Sequence, residues 1–281
     1  MNKWVVGARP RTLPAAIAPV LVATAYAGEN WSALRALSAL LVSLALQIGV
    51  NYANDYSDGI RGTDDSRIGP VRLTASGLAS PKSVRTAALI SFLVAALIGL
   101  TLAAATSWWI ILVGALAINA AWGYTGGSNP YGYKGLGEIS VFLFFGVVAT
   151  VGSYYVQVKE FNPQIFIIAI PMGSLACAIL AINNLRDRAQ DLIVGKKTLA
   201  VRLGDKGARN LYIALLVSAH LFALLTFKPA VALTLLATPL TWKLSRGVAS
   251  GVSGADLIPF LARTGKLQLV FALLFALGLA I

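Results

Sequence analysis

Apolar runs of about twenty residues recur along the whole chain, and a run of that length is what a helix needs to cross the hydrocarbon core of a bilayer. The pattern predicts nine transmembrane helices, near 12–28, 33–54, 85–106, 108–124, 137–157, 163–184, 209–227, 229–245 and 265–281. The first, fourth and eighth are short or interrupted by Pro and Gly, so a count of eight stays open. The polar connections between runs are unequal. On one side they are tight, as at Gly28–Ser32 and Phe227–Pro229. On the other, two long segments near 55–84 and 185–208 follow the second and sixth runs, and long connections tend to carry function. Their four-helix spacing hints at an internally duplicated four-helix unit. The predicted fold class is therefore all-α, a polytopic transmembrane helical bundle forming one domain over residues 1–281.

Charge fixes an expected orientation. With the N-terminus placed in the cytoplasm, all but Arg35, Lys159 and Lys228 of the 23 basic residues fall on the cytoplasmic side. That asymmetry is the positive-inside pattern, and it leaves the C-terminus outside. A net charge of +12 would otherwise suggest nucleic acid, but the basic residues sit in the loops between apolar spans, so the expected partner is membrane lipid and not nucleic acid. Composition agrees: 57% of residues are hydrophobic, 12% are charged and mean hydropathy is +0.75, well short of the roughly 25% charge of soluble domains. The single cysteine, Cys177, lies in an apolar run, which rules out a disulfide framework and suits a small packing residue. No cleavable signal peptide is expected at the start.

The acidic residues are scarce and clustered. Of 11, seven lie in the two long segments: Asp55, Asp58, Asp64, Asp65, Asp187, Asp191 and Asp205. The first motif runs from Asn51 through Asn54, Asp55, Asp58 and Arg61 to Asp64 and Asp65. Continued as a helix, it puts Asn51, Asp55 and Asp58 at i, i+4 and i+7 on one face. The second runs from Asn183 and Asn184 through Arg186 and Asp187 to Asp191, with Asn184, Asp187 and Asp191 at i, i+3 and i+7. Stacked carboxylates repel each other and are costly near a bilayer, so a cation should offset them. Carboxylate, amide and phosphate oxygens make the hard-oxygen surroundings that Mg²⁺ prefers. The expected metal ligands are Asn51, Asn54, Asp55, Asp58, Asp187 and Asp191, holding Mg²⁺, with two ions on one diphosphate. Arg61, Arg67, Arg72, Arg186, Lys196 and Lys197 are the expected diphosphate contacts. Gly195–Thr198 resembles the tail of a P-loop but lacks the earlier glycine and a preceding strand. Asn30-Trp31-Ser32 matches a glycosylation sequon by chance in a very short loop, and His220, mid-span, suits core packing.

These motifs resemble those of the UbiA superfamily of intramembrane prenyltransferases, which carry an Asn-Asp-x-x-Asp motif after the second helix and Asp-x-x-x-Asp after the sixth. The match is similar in detail to the branch that prenylates 1,4-dihydroxy-2-naphthoate in menaquinone synthesis. It is carried by Ala8–Ala16, Asn51–Asp65, Pro130–Glu138 and Asn183–Gly204, and so spans about residues 8–204. The resemblance implies transfer of a prenyl group from a polyprenyl diphosphate to the naphthoate, with Asp55, Asp58, Asp187 and Asp191 as catalytic residues, at the bacterial plasma membrane with the site facing the cytoplasm. It also implies that an allylic cation is stabilised by aromatic faces, for which Tyr52, Tyr56, Tyr124, Tyr131, Tyr133, Phe144 and Tyr154 are candidates. Arg9, Arg11, Tyr124, Lys134, Glu138 and Asn184 are the expected acceptor contacts. One departure is that Tyr124 is followed by Thr-Gly-Gly-Ser-Asn-Pro, where the superfamily often has a basic residue. Other acceptors (4-hydroxybenzoate, homogentisate, haem or a lipid) and an ion-coupled transporter are the alternative readings, although mid-span charges of the kind transporters use are absent.

Overall fold

The computed structural model describes residues 2–64 and 68–281, and all regular structure among them is helical. The elements are α1 (Lys3–Ala8), α2 (Pro14–Tyr26), α3 (Ala33–Ile60), α4 (Pro81–Ala105), α5 (Trp109–Gly123), α6 (Gly137–Val158), α7 (Gln164–Ile193), α8 (Leu199–Leu224), α9 (Thr238–Ala249) and α10 (Ile258–Ala280). A 3₁₀ stretch, Pro229–Ala237, leads into α9. Six helical segments are long and apolar enough to cross a membrane: α3, α4, α6, α7, α8 and Gly254–Ala280; α2 and α5 are shorter apolar helices. The protein is an integral membrane protein. Asp65 and Arg67, the latter an expected diphosphate contact, lie outside the described residues.

Local chemistry explains the helix starts. Ser32, Ser80 and Thr198 each turn a side-chain oxygen onto a backbone N–H of the first turn, of Arg35, Ser83 and Val201 respectively. Pro81 occupies the first turn of α4, where its missing N–H costs no intrahelical bond. The centre of the bundle is α7, whose Ile165, Ile168, Met172, Leu175 and Ile182 are fully buried against α2, α8 and α10. Small residues let the backbones approach closely, as membrane helices require. A Cβ on Gly146 of α6 would lie 2.5 Å from Gly173 Cα, and one on Gly278 of α10 would lie 2.6 Å from Ala230 O. The large exposed residues, such as Leu89, Leu93 and Leu97 on α4 and Leu112 and Leu116 on α5, form the lipid-facing exterior.

Two expectations about the long segments change. The helices continue into them: α3 runs to Ile60 and α7 to Ile193, so Asp55, Asp58, Asp187 and Asp191 lie on helices and not in loops. The segment near 185–208 shrinks to a short link at 194–198, since α8 begins at Leu199, with a break at Gly204 (φ 71°, ψ −178°). Helix α6 also holds a π-helical stretch over Phe142–Val148, a local widening frequent at functional sites.

Candidate active site

The polar ends of α3 and α7 and the segments 69–72, 124–133 and 196–198 surround the head of one cavity of about 590 Å³. Asn51, Asn54, Asp58, Asn183, Asn184, Asp187 and Asp191 line it, with Arg9, Arg11, Arg72, Tyr124, Tyr131, Tyr133, Lys196 and Thr198. Away from these groups the lining becomes apolar, through Leu46, Val113, Ala117, Phe144, Val148 and Val156 to Leu102, Ile110 and Trp109.

On α3, Asp58 accepts from Tyr133 O–H at 2.5 Å through Oδ1 and pairs with Lys196 Nζ at 3.2 Å through Oδ2. Asn54 Oδ1 accepts from Thr125 O–H at 2.8 Å. Asn51 Nδ2 donates to Ala8 O at 2.9 Å, while its carbonyl accepts from Arg9 Nη2 at 2.9 Å, which ties the α1–α2 connection to the site. On α7, Arg186 grips Asp187 through two bonds of 2.7 Å, from Nε and Nη2. Thr198 O–H, which also caps α8, lies 3.5 Å from Asp191 Oδ2. Arg72 Nε pairs with Asp64 Oδ2 at 3.2 Å, both buried.

Burial alone would lower the Lys196 pKa, but the surrounding groups, first the carboxylate of Asp58, with Tyr133, Asp191 and Asp64, outweigh it and hold the ammonium above its ordinary value. Its Nζ also sits 4.7 Å from the centre of the Tyr133 ring. Burial, with the neighbouring Asp58 charge, pushes the Tyr133 phenol up, so it stays a donor at neutral pH.

Asp55 stands apart from the other aspartates. It has no exposed surface and does not line the cavity. Its Oδ2 accepts from Leu73 N and its Oδ1 from Thr74 N, both at 2.9 Å, so its carboxylate caps two consecutive amides of the 68–80 segment. Gly59 makes that approach possible, because a Cβ there would lie 2.4 Å from Thr74 Cγ2. The anchored segment carries Gly69, Pro70, Val71 and Arg72 into the cavity wall.

The remaining expected residues divide in the same way. Arg61 bonds the carbonyls of Thr125 and Gly127, supplying a basic group to the segment after Tyr124 that lacks its own. Arg61, Arg186 and Lys197 do not line the cavity, and Lys197 is exposed. Among acceptor candidates, Arg9, Arg11, Tyr124 and Asn184 reach the cavity, Lys134 is exposed outside it, and Glu138 is buried behind it, accepting from Asn184 Nδ2 at 3.0 Å. Tyr124, Tyr131, Tyr133 and Phe144 line the cavity, whereas Tyr52, Tyr56 and Tyr154 do not. Sequence reasoning missed Thr125 and Thr198. A helix-capping Thr directly after a lysine-rich link was the available signal for Thr198; Thr125 had none.

Among the described residues, no group of three or more His, Cys, Asp or Glu converges tightly enough to cage a metal without other donors. The donor chemistry still fits Mg²⁺, which takes one or two carboxylates and completes its shell with phosphate and water. Two such carboxylate groups face one cavity, each with amide oxygens beside it.

Residues 16–256 match the UbiA prenyltransferase family. The chain belongs to the UbiA prenyltransferase family. It is 51% identical, over 99% of its length and 97% of the relative's, to the 1,4-dihydroxy-2-naphthoate octaprenyltransferase of Mycobacterium tuberculosis. It is 40% identical to the Escherichia coli protein of the same name, over 98% of this chain and 94% of that one. The similarity thus extends past residue 204, through the last helices. The fold is that of a UbiA homolog from Archaeoglobus fulgidus solved with GPP and Mg²⁺ (TM-score 0.72, 16% identity, 100% of both chains).

Proposed function

We propose that this UbiA-family enzyme transfers a polyprenyl group from a polyprenyl diphosphate to 1,4-dihydroxy-2-naphthoate, releasing diphosphate and CO₂ and forming demethylmenaquinol. The observation that carries the reading is a single cavity with carboxylates, amides and cations at one end and an apolar bore beyond. The names of the relatives at 51% and 40% identity supply the acceptor. In this reading the chain is one domain with nine crossings, in which α2, α5 and the 229–249 stretch join the six longer spans. The N-terminus and the site then face the cytoplasm of a bacterial cell, as the basic loops favour.

Asn54, Asp58, Asp187 and Asp191 are the proposed metal-holding groups, with Asn51 and Asn184 behind them. Bound magnesium, two ions in this reading, neutralises the charge that grows on the departing diphosphate. Lys196 and Arg72 hold phosphate oxygens by charge-assisted bonds. Arg186 fixes the orientation of Asp187, and Arg61 holds the 125–127 wall. The donor's C1–O bond breaks and its electron pair leaves with the diphosphate. The faces of Tyr124, Tyr131, Tyr133 and Phe144 stabilise the allylic cation. The carboxylate-bearing ring carbon forms the new C–C bond; the bond to CO₂ then breaks and its electron pair restores the aromatic ring. Because CO₂ leaves where a proton otherwise would, no base is required at that carbon. Arg9, Arg11 and Asn184 are the proposed partners for the acceptor's carboxylate and hydroxyls, with Glu138 orienting Asn184.

The test is purified protein with octaprenyl diphosphate and a panel of dihydroxynaphthoate, 4-hydroxybenzoate and homogentisate, with and without Mg²⁺. Magnesium-dependent turnover of the naphthoate, with one CO₂ per product, is expected. Preference for another acceptor, or metal-independent turnover, would overturn the reading.

A further inference from the structure

Several helical glycines of this bundle, such as Gly49, Gly146, Gly247 and Gly278, lie tight against a neighbouring ring or backbone. Of the four glycines that line the cavity, Gly132 fits that pattern: a Cβ there would lie 2.6 Å from Tyr124 O. At Gly69 an added Cβ would meet Arg186 at 3.2 Å. Gly114 on α5 and Gly152 on α6 differ. They line the cavity, yet a Cβ added to either meets nothing within 4 Å. Close packing is therefore not the reason for glycine at these positions, and glycine makes a helix less stable than alanine would. What their missing side chains leave open is cavity.

Their position gives that space a meaning. Gly114 is ten residues before Tyr124 along α5, about 15 Å from the diphosphate end at 1.5 Å per residue. Beyond it the lining reaches Trp109, whose ring lies 4.9 Å from that of Tyr155 and 5.8 Å from that of Phe161. Tyr155 and Phe161 themselves stack at 4.8 Å. An aromatic cluster thus braces the Trp109 ring.

We propose that Gly114 and Gly152 set the length of prenyl tail the enzyme accepts, by keeping the bore open between the diphosphate end and the stretch lined by Trp109. The proposal rests on the prenyltransferase reading above. A short donor ends before these glycines, whereas a long one must pass them.

The experiment gives each variant geranyl diphosphate and octaprenyl diphosphate in competition, with dihydroxynaphthoate, and resolves the products by mass. In Gly114→Leu and Gly152→Leu the ratio of kcat/KM for the long donor to that for the short one is expected to fall roughly tenfold or more. Trp109→Ala is expected to move the ratio the other way. Gly99→Leu is the control, because Gly99 is also open to an added Cβ but does not line the cavity, and its ratio is expected to match the wild type. Gly114→Ala and Gly114→Val grade the same obstruction, so the trend remains readable if a leucine variant fails to fold. An unchanged ratio across the Gly114 and Gly152 variants would overturn the proposal, since the tail would then leave the bundle before reaching them. Absence of turnover by the wild type with either donor would instead contradict the prenyltransferase reading itself.

Discussion

The two aspartate motifs look alike as strings, but the structure uses them differently. On α7, Asp187 and Asp191 both line the cavity, and each has a polar partner beside it, Arg186 and Thr198. On α3, Asp58 lines the cavity while Asp55, three residues earlier, faces away and caps the amides of Leu73 and Thr74. The residues that share the cavity face on α3 are Asn51, Asn54 and Asp58. On α7, Asn184, Asp187 and Asp191 line it, with Asn183 beside them. Both triplets have the spacing i, i+3, i+7. The motifs match only when Asn54, and not Asp55, is paired with Asp187, so the first contributes an amide and a carboxylate where the second contributes two carboxylates.

The largest effect should come from removing charge inside the matched triplets. Asp58→Asn, Asp187→Asn and Asp191→Asn should each lower kcat/KM by about a thousandfold or more, as expected when several kcal/mol of metal-derived stabilisation is lost. If the three act as one unit, combining Asp58→Asn with Asp187→Asn should cost little more than either alone, which steady-state kinetics would show.

Asp55→Ala should differ in kind. It removes two charged hydrogen bonds to buried amides, a loss of about 3 kcal/mol in stability, read as a lowered unfolding temperature in detergent. Faster proteolysis of the 68–80 segment should accompany it. Asp55→Asn keeps an acceptor oxygen and should fall between.

Lys196→Met should raise KM for the diphosphate donor roughly tenfold, through loss of one charge-assisted contact. The pH dependence follows from the raised pKa. A lysine whose folded pKa lies above its unfolded value contributes stability that is fully present below the ordinary value of 10.5 and is lost as pH rises through the folded pKa. The pH dependence of thermal stability should therefore carry no Lys196 step between about pH 7 and pH 9, where its contribution is present and constant, and a titration step in that window, absent from Lys196→Met, would count against the assignment. The smallest effect is expected for Arg61→Ala. Its bonds to Thr125 and Gly127 are at an exposed position, so the cost should be near 1 kcal/mol and activity should drop only a few fold.

Much of this was legible in the chain. Apolar runs located the long helices, and scarce acids gathered in two segments located the site, because a bilayer excludes both unpaired backbone and unpaired charge. Helical spacing correctly put Asn184, Asp187 and Asp191 on one face. It placed Asp55 on the face with Asn51 and Asp58, with Asn54 kept among the expected ligands, because i, i+4 and i+7 fit a helix face as well as i, i+3 and i+7 do. A carboxylate also looks more like a metal ligand than an amide does. What decided between them was a loop folding back eighteen residues later onto Asp55, a contact that periodicity does not encode. The same holds for Arg61 serving the segment after Tyr124, and for Glu138 acting through Asn184. The non-helical Gly204 and the π-helical stretch of α6 were likewise outside what periodicity predicts.

The most direct test of the matched-triplet account is electron paramagnetic resonance of Mn²⁺ bound with prenyl diphosphate, recorded for Asp55→Asn and Asp58→Asn beside the wild type. The account expects Asp55→Asn to bind Mn²⁺ with the wild-type stoichiometry and spectrum, and Asp58→Asn to lose bound metal. Loss of metal from Asp55→Asn with retention in Asp58→Asn would contradict it.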